Sequence, residues 1–365
     1  MNEFELTDRL QEIGKKFRLP GQFYAYSTVK NGNINATFKV TFQNDDGTLK
    51  AYIFQRINTF VFKNPVEIME NIDRVTTHIR EKCANKPALH YHHTAEGLNY
   101  CYDENSDFWR VINYIDSVTF DTSDDLYVVA STGEAFGQFV MQLSDFDGSI
   151  LHETIPNFHN TGKRLEQLFK DEKEDPKGRA ADCVSELNYI RSVSGMARRL
   201  SDRFLAGEFP VRVTHNDTKS NNVLFDKDTK RPLVVIDLDT VMPGMAIYDF
   251  GDAVRFIANT SAEDEPDTRR VFFDTAKFRA FCKGYMGQVK GSLTEDEINN
   301  LVLATFSITI ELAARFLDDY LTGDEYFKVL YPGHNLVRTR CQLALARDIM
   351  RKFDELMWIV NEAAK

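Results

Sequence analysis

Three side chains in one stretch have the types and spacing to move a phosphoryl group. The string HNDTKSNN at 215–222 sets Asp217 and Asn222 in the pattern HxDxxxxN, and an apolar run at 233–236 delivers a second acid, Asp237, fifteen residues after Asn222. Phosphoryl transfer asks for this set: one carboxylate orients the attacking hydroxyl and takes its proton, while an amide oxygen and a second carboxylate hold Mg²⁺ on the ATP phosphates. Asp217 fits the first role, and Asn222 and Asp237 fit the metal roles. An isolated HxD tripeptide is a common chance match that normally marks a core His beside a turn Asp. Here the match is compound, because short apolar runs at 211–213, 223–225 and 233–236 frame it as strand, loop, strand, turn, strand.

Four neighbours qualify that reading. Lys219 is a second catalytic candidate, since a cation is needed where the equatorial oxygens of the transferring group gain charge; its bland alternative is a surface lysine. His215 reads as a structural hydrogen-bonding residue, because the Asp takes the proton. Asp239 either touches a second Mg²⁺ or caps the following loop. Asp249, in YDFGD at 248–252, caps the next helix and braces the loop; it is not a metal ligand, as Asp237 already occupies the strand end.

The elements that must position these groups fall into two parts. Residues 1–116 open with an amphipathic helix, then a three-stranded meander at 23–29, 35–42 and 51–57, broken at NDDG (44–47). Asn64 as N-cap and Pro65 at the first helical position start a helix over 65–82. Strands at 98–102 and 108–115 complete an N-terminal lobe of five antiparallel strands. Residues 117–365 read as mainly helical around the central motif, with helices at 132–146, 161–170 and 178–205, a capping box from Ser292 to Glu295 ahead of a helix to about 321, and a last helix over 337–360. The segment 171–177 reads as a solvated charged connection. The fold class expected is α+β, a bilobal protein-kinase-like fold with ATP bound between the lobes.

In the N-terminal lobe no GxGxxG is present. The turn at 30–35 would cover the nucleotide phosphates with Gly32, Asn33 and Asn35, through backbone or side-chain amides. Gln55 stands on the third strand where a protein kinase carries its phosphate-binding lysine, so a neutral amide replaces a charge there. The end of the fifth strand, including Tyr114 and Asp116, is placed to hydrogen-bond adenine. His90 and His92 could share a strand face, but with no Cys near and Glu96 the sole local acid a metal is not expected. Arg315 is a cation within an apolar run and would be costly to bury without an anionic partner.

Bulk composition excludes several classes. The chain has 365 residues, 43% hydrophobic and 27% charged, with a formal net charge of −11. No basic stripe is present, which argues against a nucleic-acid partner. Five cysteines, none closer than eighteen residues, form no zinc-type pair and suit a reducing cytoplasm. The N-terminal helix lacks the apolar region of a signal peptide, and the apolar run at 301–317 is interrupted by Glu311 and Arg315, so no membrane span is expected.

The layout, the HNDTKSNN loop and the VVIDLD strand end (234–239) resemble the aminoglycoside phosphotransferase and choline kinase superfamily. Within it the chain is similar to the N-acetylhexosamine 1-kinases. The strings that carry this are NIN at 33–35, VTHNDTK at 213–219, IDLDT at 236–240, MPG at 242–244, DFGD at 249–252, RFL at 315–317, DYL at 319–321 and HNLVRTR at 334–340. The HxDxxxxN core identifies only the superfamily, whereas the long C-terminal strings resemble the sugar 1-kinases. The resemblance implies Asp217 as catalytic base, Asn222 and Asp237 as Mg²⁺ ligands, ATP as co-substrate, and Arg315, Phe256 and Asn33 at the sugar. Two positions depart from the pattern: Asn33 stands in place of a His, and Tyr26 in place of an aliphatic residue. They leave open which C4 epimer is preferred and whether an acetamido group is required. Two other readings stand beside this one: a kinase of the same fold acting on an amino alcohol or aminoglycoside, for which Asp318, Asp319, Asp324 and Glu325 would be the acidic cluster unless they form a solvated helix end, and a catalytically inactive nucleotide-binding protein, suggested by Gln55.

Overall fold

The computed structural model describes residues 3–29, 34–84 and 87–365. The chain divides into two compact units, Met1–Ser117 and Val118–Lys365.

The first unit contains α1 (Glu3–Lys16), β1 (Gln22–Val29), β2 (Ala36–Gln43), β3 (Leu49–Arg56), α2 (Pro65–Lys82), β4 (Cys101–Tyr102) and β5 (Phe108–Asn113). The five strands form one antiparallel sheet in the order β1-β2-β3-β5-β4. Period-two alternation explains the pairing: Phe38, Val40 and Phe42 of β2 and Tyr52 and Phe54 of β3 turn into a core shared with Leu10, Ile13 and Phe17 of or beside α1. Each such side chain, fully buried, contributes roughly 1.5–3 kcal/mol of transfer free energy. Arg110 is buried in the middle of β5, the one polar side chain in an otherwise apolar stretch of that strand. Pro65 opens α2 as expected, but the Asn64 side chain makes no capping hydrogen bond.

The second unit is mainly helical: α3 (Leu126–Gln142), α4 (Thr161–Glu174), α5 (Val184–Ala197), α6 (Arg199–Leu205), α7 (Ala246–Ile257), α8 (Thr275–Val289), α9 (Glu295–Asn299), α10 (Leu301–Thr322), α11 (His334–Arg351) and α12 (Phe353–Ala364). Two small ladders, β6 (Arg212–Thr214) with β9 (Met242–Gly244) and β7 (Val223–Phe225) with β8 (Pro232–Val235), sit among them. Helix α10 is buried along most of its surface, packed by α4, α5, α7 and α11. Its Thr305 and Thr309 hydroxyls donate to the carbonyls of Leu301 and Thr305, which satisfies them without partners outside the helix. Helices α3 and α8 approach closely because Gly133 and Gly284 lack a Cβ; one added at Gly284 would stand 1.9 Å from the Ala130 carbonyl oxygen.

Several expected boundaries move. The capping box is Thr294 with Glu297, two residues past the expected pair, and a break at Asn300 separates α9 from α10. The long helix expected over 178–205 divides at Arg198, and the last one at Lys352. Segment 171–177 is not simply solvated: α4 runs on to Glu174 and Asp171 is buried. Strand β9 has only three residues and contains Pro243, so neither periodicity nor propensity marks it. Among the described residues, no helix is long and apolar enough to cross a membrane.

Candidate active site

The loop at 215–222 hangs between the two ladders of the second unit. Strand β6 ends at Thr214, whose hydroxyl donates to the Met242 carbonyl at 2.9 Å, and the loop then turns under a buried carboxylate. Asp249, on the first turn of α7, accepts the backbone N–H of His215 at 2.6 Å and of Asn216 at 2.8 Å. Burial pushes its carboxyl upward against the pull of His215 and the two backbone donors. Met245 occupies the N-cap position of α7 without a side-chain bond, so Asp249 braces the loop but does not cap the helix.

His215 is fully buried, edge-on to Phe136 and Phe139. Its Nδ1 accepts the Asp217 N–H at 3.3 Å, so Nε2 carries the proton and donates to the Ile236 carbonyl at 2.8 Å. One imidazole thereby fixes both Asp217 and the residue before Asp237. Asn216 takes a left-handed conformation (φ 65°), which only a few residue types tolerate, and its amide donates to the Thr240 carbonyl at 2.8 Å.

Three of the sequence-predicted side chains meet here. Lys219 Nζ stands 2.8 Å from Asp217 Oδ1. Burial alone would lower the lysine pKa, but the Asp217 carboxylate, with Asp252 and Glu263 beyond it, reverses the shift to a net rise. Asn222 Nδ2 donates to the Asp217 carbonyl at 2.8 Å and to its Oδ2 at 3.2 Å, which leaves Asn222 Oδ1 as the oxygen a cation could take. The Ile236 N–H donates to the Asn222 carbonyl at 2.8 Å, bringing the chain at Asp237 beside Asn222. Asp237 itself is left-handed (φ 63°, ψ 58°), a conformation that costs a non-glycine residue of order 1 kcal/mol or more and persists where the surroundings impose it. Asp239 is buried within the turn that follows.

Among the described residues no group of three or more His, Cys, Asp or Glu side chains could hold a metal ion. An Asn oxygen and one Asp carboxylate nevertheless suit Mg²⁺ delivered with nucleotide phosphates, because that ion keeps waters and phosphate oxygens and takes only one or two protein carboxylates.

Residues 26–285 match the APH phosphotransferase enzyme family. The chain belongs to that family. Among solved structures, this phosphotransferase is similar to an aminoglycoside phosphotransferase from Alicyclobacillus acidocaldarius subsp. acidocaldarius, at 12% identity over 96% of each chain and a TM-score of 0.61. It is also similar to a microcompartment-associated aminopropanol kinase, at 15% identity over 95% of this chain and 97% of the other, TM-score 0.62. An amicoumacin kinase in complex with AMP-PNP and Ca²⁺ matches at 12% identity over 96% of each chain, TM-score 0.55. At such identities the likeness shows the fold alone, which is the protein-kinase-like α+β fold.

Sequence reasoning missed a second brace of the phosphotransferase loop. The Thr218 hydroxyl donates to the Asp249 carbonyl at 2.8 Å, and Asp252 accepts the Thr218 N–H at 3.3 Å. Asp252 is held in turn by Arg255 at 2.7 Å, which also pairs with Glu263 at 3.1 Å. Burial would raise the Asp252 pKa, but Arg255 more than offsets it and the net shift is downward. The only sequence signal was the i, i+3 spacing of opposite charges on an otherwise apolar helix.

In the first unit, Gln55 does not stand alone. Its Oε1 accepts from Arg110 Nε at 2.9 Å and its Nε2 donates to Thr37 at 3.2 Å, so the neutral amide is paired with a buried guanidinium. Gln55 and Arg110 face each other across the β3–β5 register. Asn35 Oδ1 accepts the Asn58 N–H at 3.0 Å. The Tyr114 hydroxyl donates to Asp116 at 3.2 Å, and Lys39 Nζ lies 3.9 Å over the Tyr114 ring. Gly32 and Asn33 lie outside the described residues. Burial, with the neighbouring cations behind it, pushes His92 down to about 4, so the His90–His92 pair is a neutral ring contact.

On the acceptor candidates the structure corrects two expectations. Arg315 is not buried against an anion: it is half-exposed and ringed by Phe158, Phe327 and Tyr326 at 5.4, 5.4 and 5.7 Å from its guanidinium carbon. Of the acidic cluster only Glu325 is exposed as a solvated helix end would be: Asp319 is buried and accepts the N–H groups of Glu325, Tyr326 and Phe327, while Asp324 pairs with Arg179 at 2.6 Å. Phe256 is half-buried on the last turn of α7, which packs along the Arg315 helix. A buried polar chain links that helix to α7: Glu311 accepts from Thr161 at 2.6 Å and pairs with His159 at 2.9 Å, and Thr161 meets the Tyr248 hydroxyl at 3.2 Å. A cavity of about 110 Å³ lies beside the loop, lined by Asn216, Met245, Tyr248, Phe158, His159 and Phe204 among others.

Proposed function

We propose that the chain is an ATP- and Mg²⁺-dependent sugar 1-kinase, phosphorylating the anomeric hydroxyl of N-acetylglucosamine or N-acetylgalactosamine. The observation that carries the acceptor class is Arg315, a cation with aromatic neighbours and no carboxylate within ion-pair distance among the described residues. Such a group repels amine-bearing acceptors and donates to hydroxyl or acetamido oxygens, while the rings suit the apolar face of a sugar.

In this reading Asp217 accepts the proton of the anomeric hydroxyl as it attacks the γ-phosphate. Lys219, already on the Asp217 carboxylate, supplies positive charge at the transferring group. Asn222 Oδ1 and Asp237 would hold Mg²⁺, which neutralises the phosphate oxygens when bound. Gly32, Asn33, Asn35, Gln55, Tyr114 and Asp116 bind the nucleotide, with Arg110 restoring the charge that Gln55 lacks. Asn33, Phe256 and Arg315 contact the sugar. Positioning does most of the work, since the transferred group is loosely bonded to both oxygens at the transition state. The five free thiols suit a reducing cytoplasm.

The rival reading, a kinase for an amino alcohol or aminoglycoside, is favoured by the likeness to the aminopropanol kinase. Against it stands the commitment of Asp319 and Asp324 to backbone and arginine partners, which leaves them poorly placed to receive an amine. A panel of N-acetylhexosamines, choline, aminopropanol and an aminoglycoside, read by ³¹P NMR of the products, separates the two. The expected product is a sugar 1-phosphate; phosphorylated amino alcohol with no sugar phosphate overturns the proposal. ATP binding without transfer to any acceptor would instead support an inactive nucleotide-binding protein.

A further inference from the structure

Two arginines of the second unit converge on one phenylalanine, and neither has a carboxylate within ion-pair distance among the described residues. Arg164, on α4, donates from Nη2 to the Phe158 carbonyl at 3.4 Å, and its Nε is buried with no hydrogen-bond partner. Arg315, on α10, lays its guanidinium 5.4 Å from the Phe158 ring. The two charges are near enough that Arg315, after burial, is the next cause holding the Arg164 pKa down. A pair of like charges in a partly buried setting costs free energy unless something compensates it.

The acids around them compensate only in part: Glu311 and Asp318 both favour the charged form of Arg164, yet neither lies within ion-pair distance of either arginine. Glu311 is turned to His159 and Thr161. Asp318 is pushed up to about 7 by burial and by the hydrogen bond it shares with Asp171, so near neutrality it carries only part of a charge. Asp171 also accepts from Gln167 at 2.7 Å. Guanidinium forks match the oxygens of phosphate and carboxylate groups, and a buried unpartnered Nε donor is one tooth of such a fork.

We propose that Arg164 and Arg315, meeting at Phe158, form a binding site for a single oxyanion, a phosphate or carboxylate group carried by the acceptor or its product, or met as the free ion. Arg164 is then a second acceptor-reading residue beside Arg315, and the site takes neutral or acidic acceptors in preference to amines. The chain as a whole carries a net charge of −11, so an anion is held here by local geometry and not by a general positive field.

Isothermal calorimetry tests this without any turnover, so its outcome is independent of which acceptor the enzyme uses. Wild type, R164Q, R164K and R315Q are titrated separately with inorganic phosphate, a hexose 1-phosphate and a hexuronic acid, with folding checked by thermal melts. Saturable binding by wild type is expected, weakened roughly tenfold or more in R164Q and in R315Q, with R164K intermediate because it keeps the charge and loses the fork. Binding of phosphate alone identifies the free ion as the source; tighter binding of either sugar acid identifies the acceptor or product. Should R164Q fail to fold, R164K and R315Q carry the comparison. No saturable binding of any of the three probes, or equal affinity in the folded variants, overturns the proposal.

Discussion

Replacing Asp249 by Asn should loosen the catalytic loop and slow turnover far more than it weakens substrate binding. The carboxylate accepts two buried backbone N–H groups, at 2.6 and 2.8 Å, from His215 and Asn216. Hydrogen bonds to a charged acceptor are each worth about 1.5–3 kcal/mol. The amide keeps one acceptor oxygen and turns an NH₂ toward the other donor, so one bond is lost and the second loses its charge assistance. Burial disfavours the ionised carboxyl, and the neutral amide recovers part of that cost. The net destabilisation expected is about 2–3 kcal/mol, a fall in melting temperature of roughly 5–10 °C for a unit of this size. Because the displaced amides belong to the two residues before Asp217, a shift near 1 Å in that carboxylate should cost about a hundredfold in kcat with little change in KM for ATP. Urea denaturation and steady-state kinetics on the same preparation measure both quantities. A D249N protein with wild-type midpoint and kcat would refute the bracing argument.

Two further perturbations test the packing and the electrostatics. The Asp318 pKa of about 7 in the folded chain lies above its ordinary value of 3.8, so the stability this group contributes is full below pH 4 and is lost as pH rises through 7. D318N should therefore match wild type at pH 4 and exceed it at pH 8 by about 1–2 kcal/mol after solvent screening, in paired chemical denaturations; no difference at pH 8 contradicts the assignment. Gly284 and Gly287 lie on the same helix, but a Cβ at Gly284 meets the Ala130 carbonyl oxygen at 1.9 Å whereas one at Gly287 meets nothing within 4 Å. G284A should destabilise by about 1–3 kcal/mol or more, while G287A should be neutral or stabilising by up to about 1 kcal/mol. Equal melting temperatures for the two would mean that α3 and α8 do not pack as described.

The meeting of Asp217, Lys219 and Asn222 was legible because the three are local in sequence. Asp217, Lys219 and Asn222 lie within six residues, and the short apolar runs around them announce the ladders that hold them. The five-stranded sheet was legible for a similar reason: alternation in β2 and β3 and the NDDG turn between them are short-range signals. What escaped depends on residues far apart in the chain. Thr218 donates to Asp252 across thirty-four positions, and Arg110 reaches Gln55 across fifty-five. Such pairs leave no periodic trace, only a charged residue in an apolar context. The acidic residues 318, 319 and 324 misled because acids near a helix end normally face solvent, as Glu325 does. Here Asp319 instead holds three consecutive backbone N–H groups, which composition cannot foretell.

The most direct measurement is the rate at which purified D217N and wild type convert N-acetylglucosamine and N-acetylgalactosamine to their 1-phosphates with ATP and Mg²⁺, followed by ³¹P NMR. If Asp217 takes the proton of the anomeric hydroxyl, wild type forms the sugar 1-phosphate and folded D217N is slower by roughly a hundredfold to ten-thousandfold. A D217N rate near that of wild type would contradict the account.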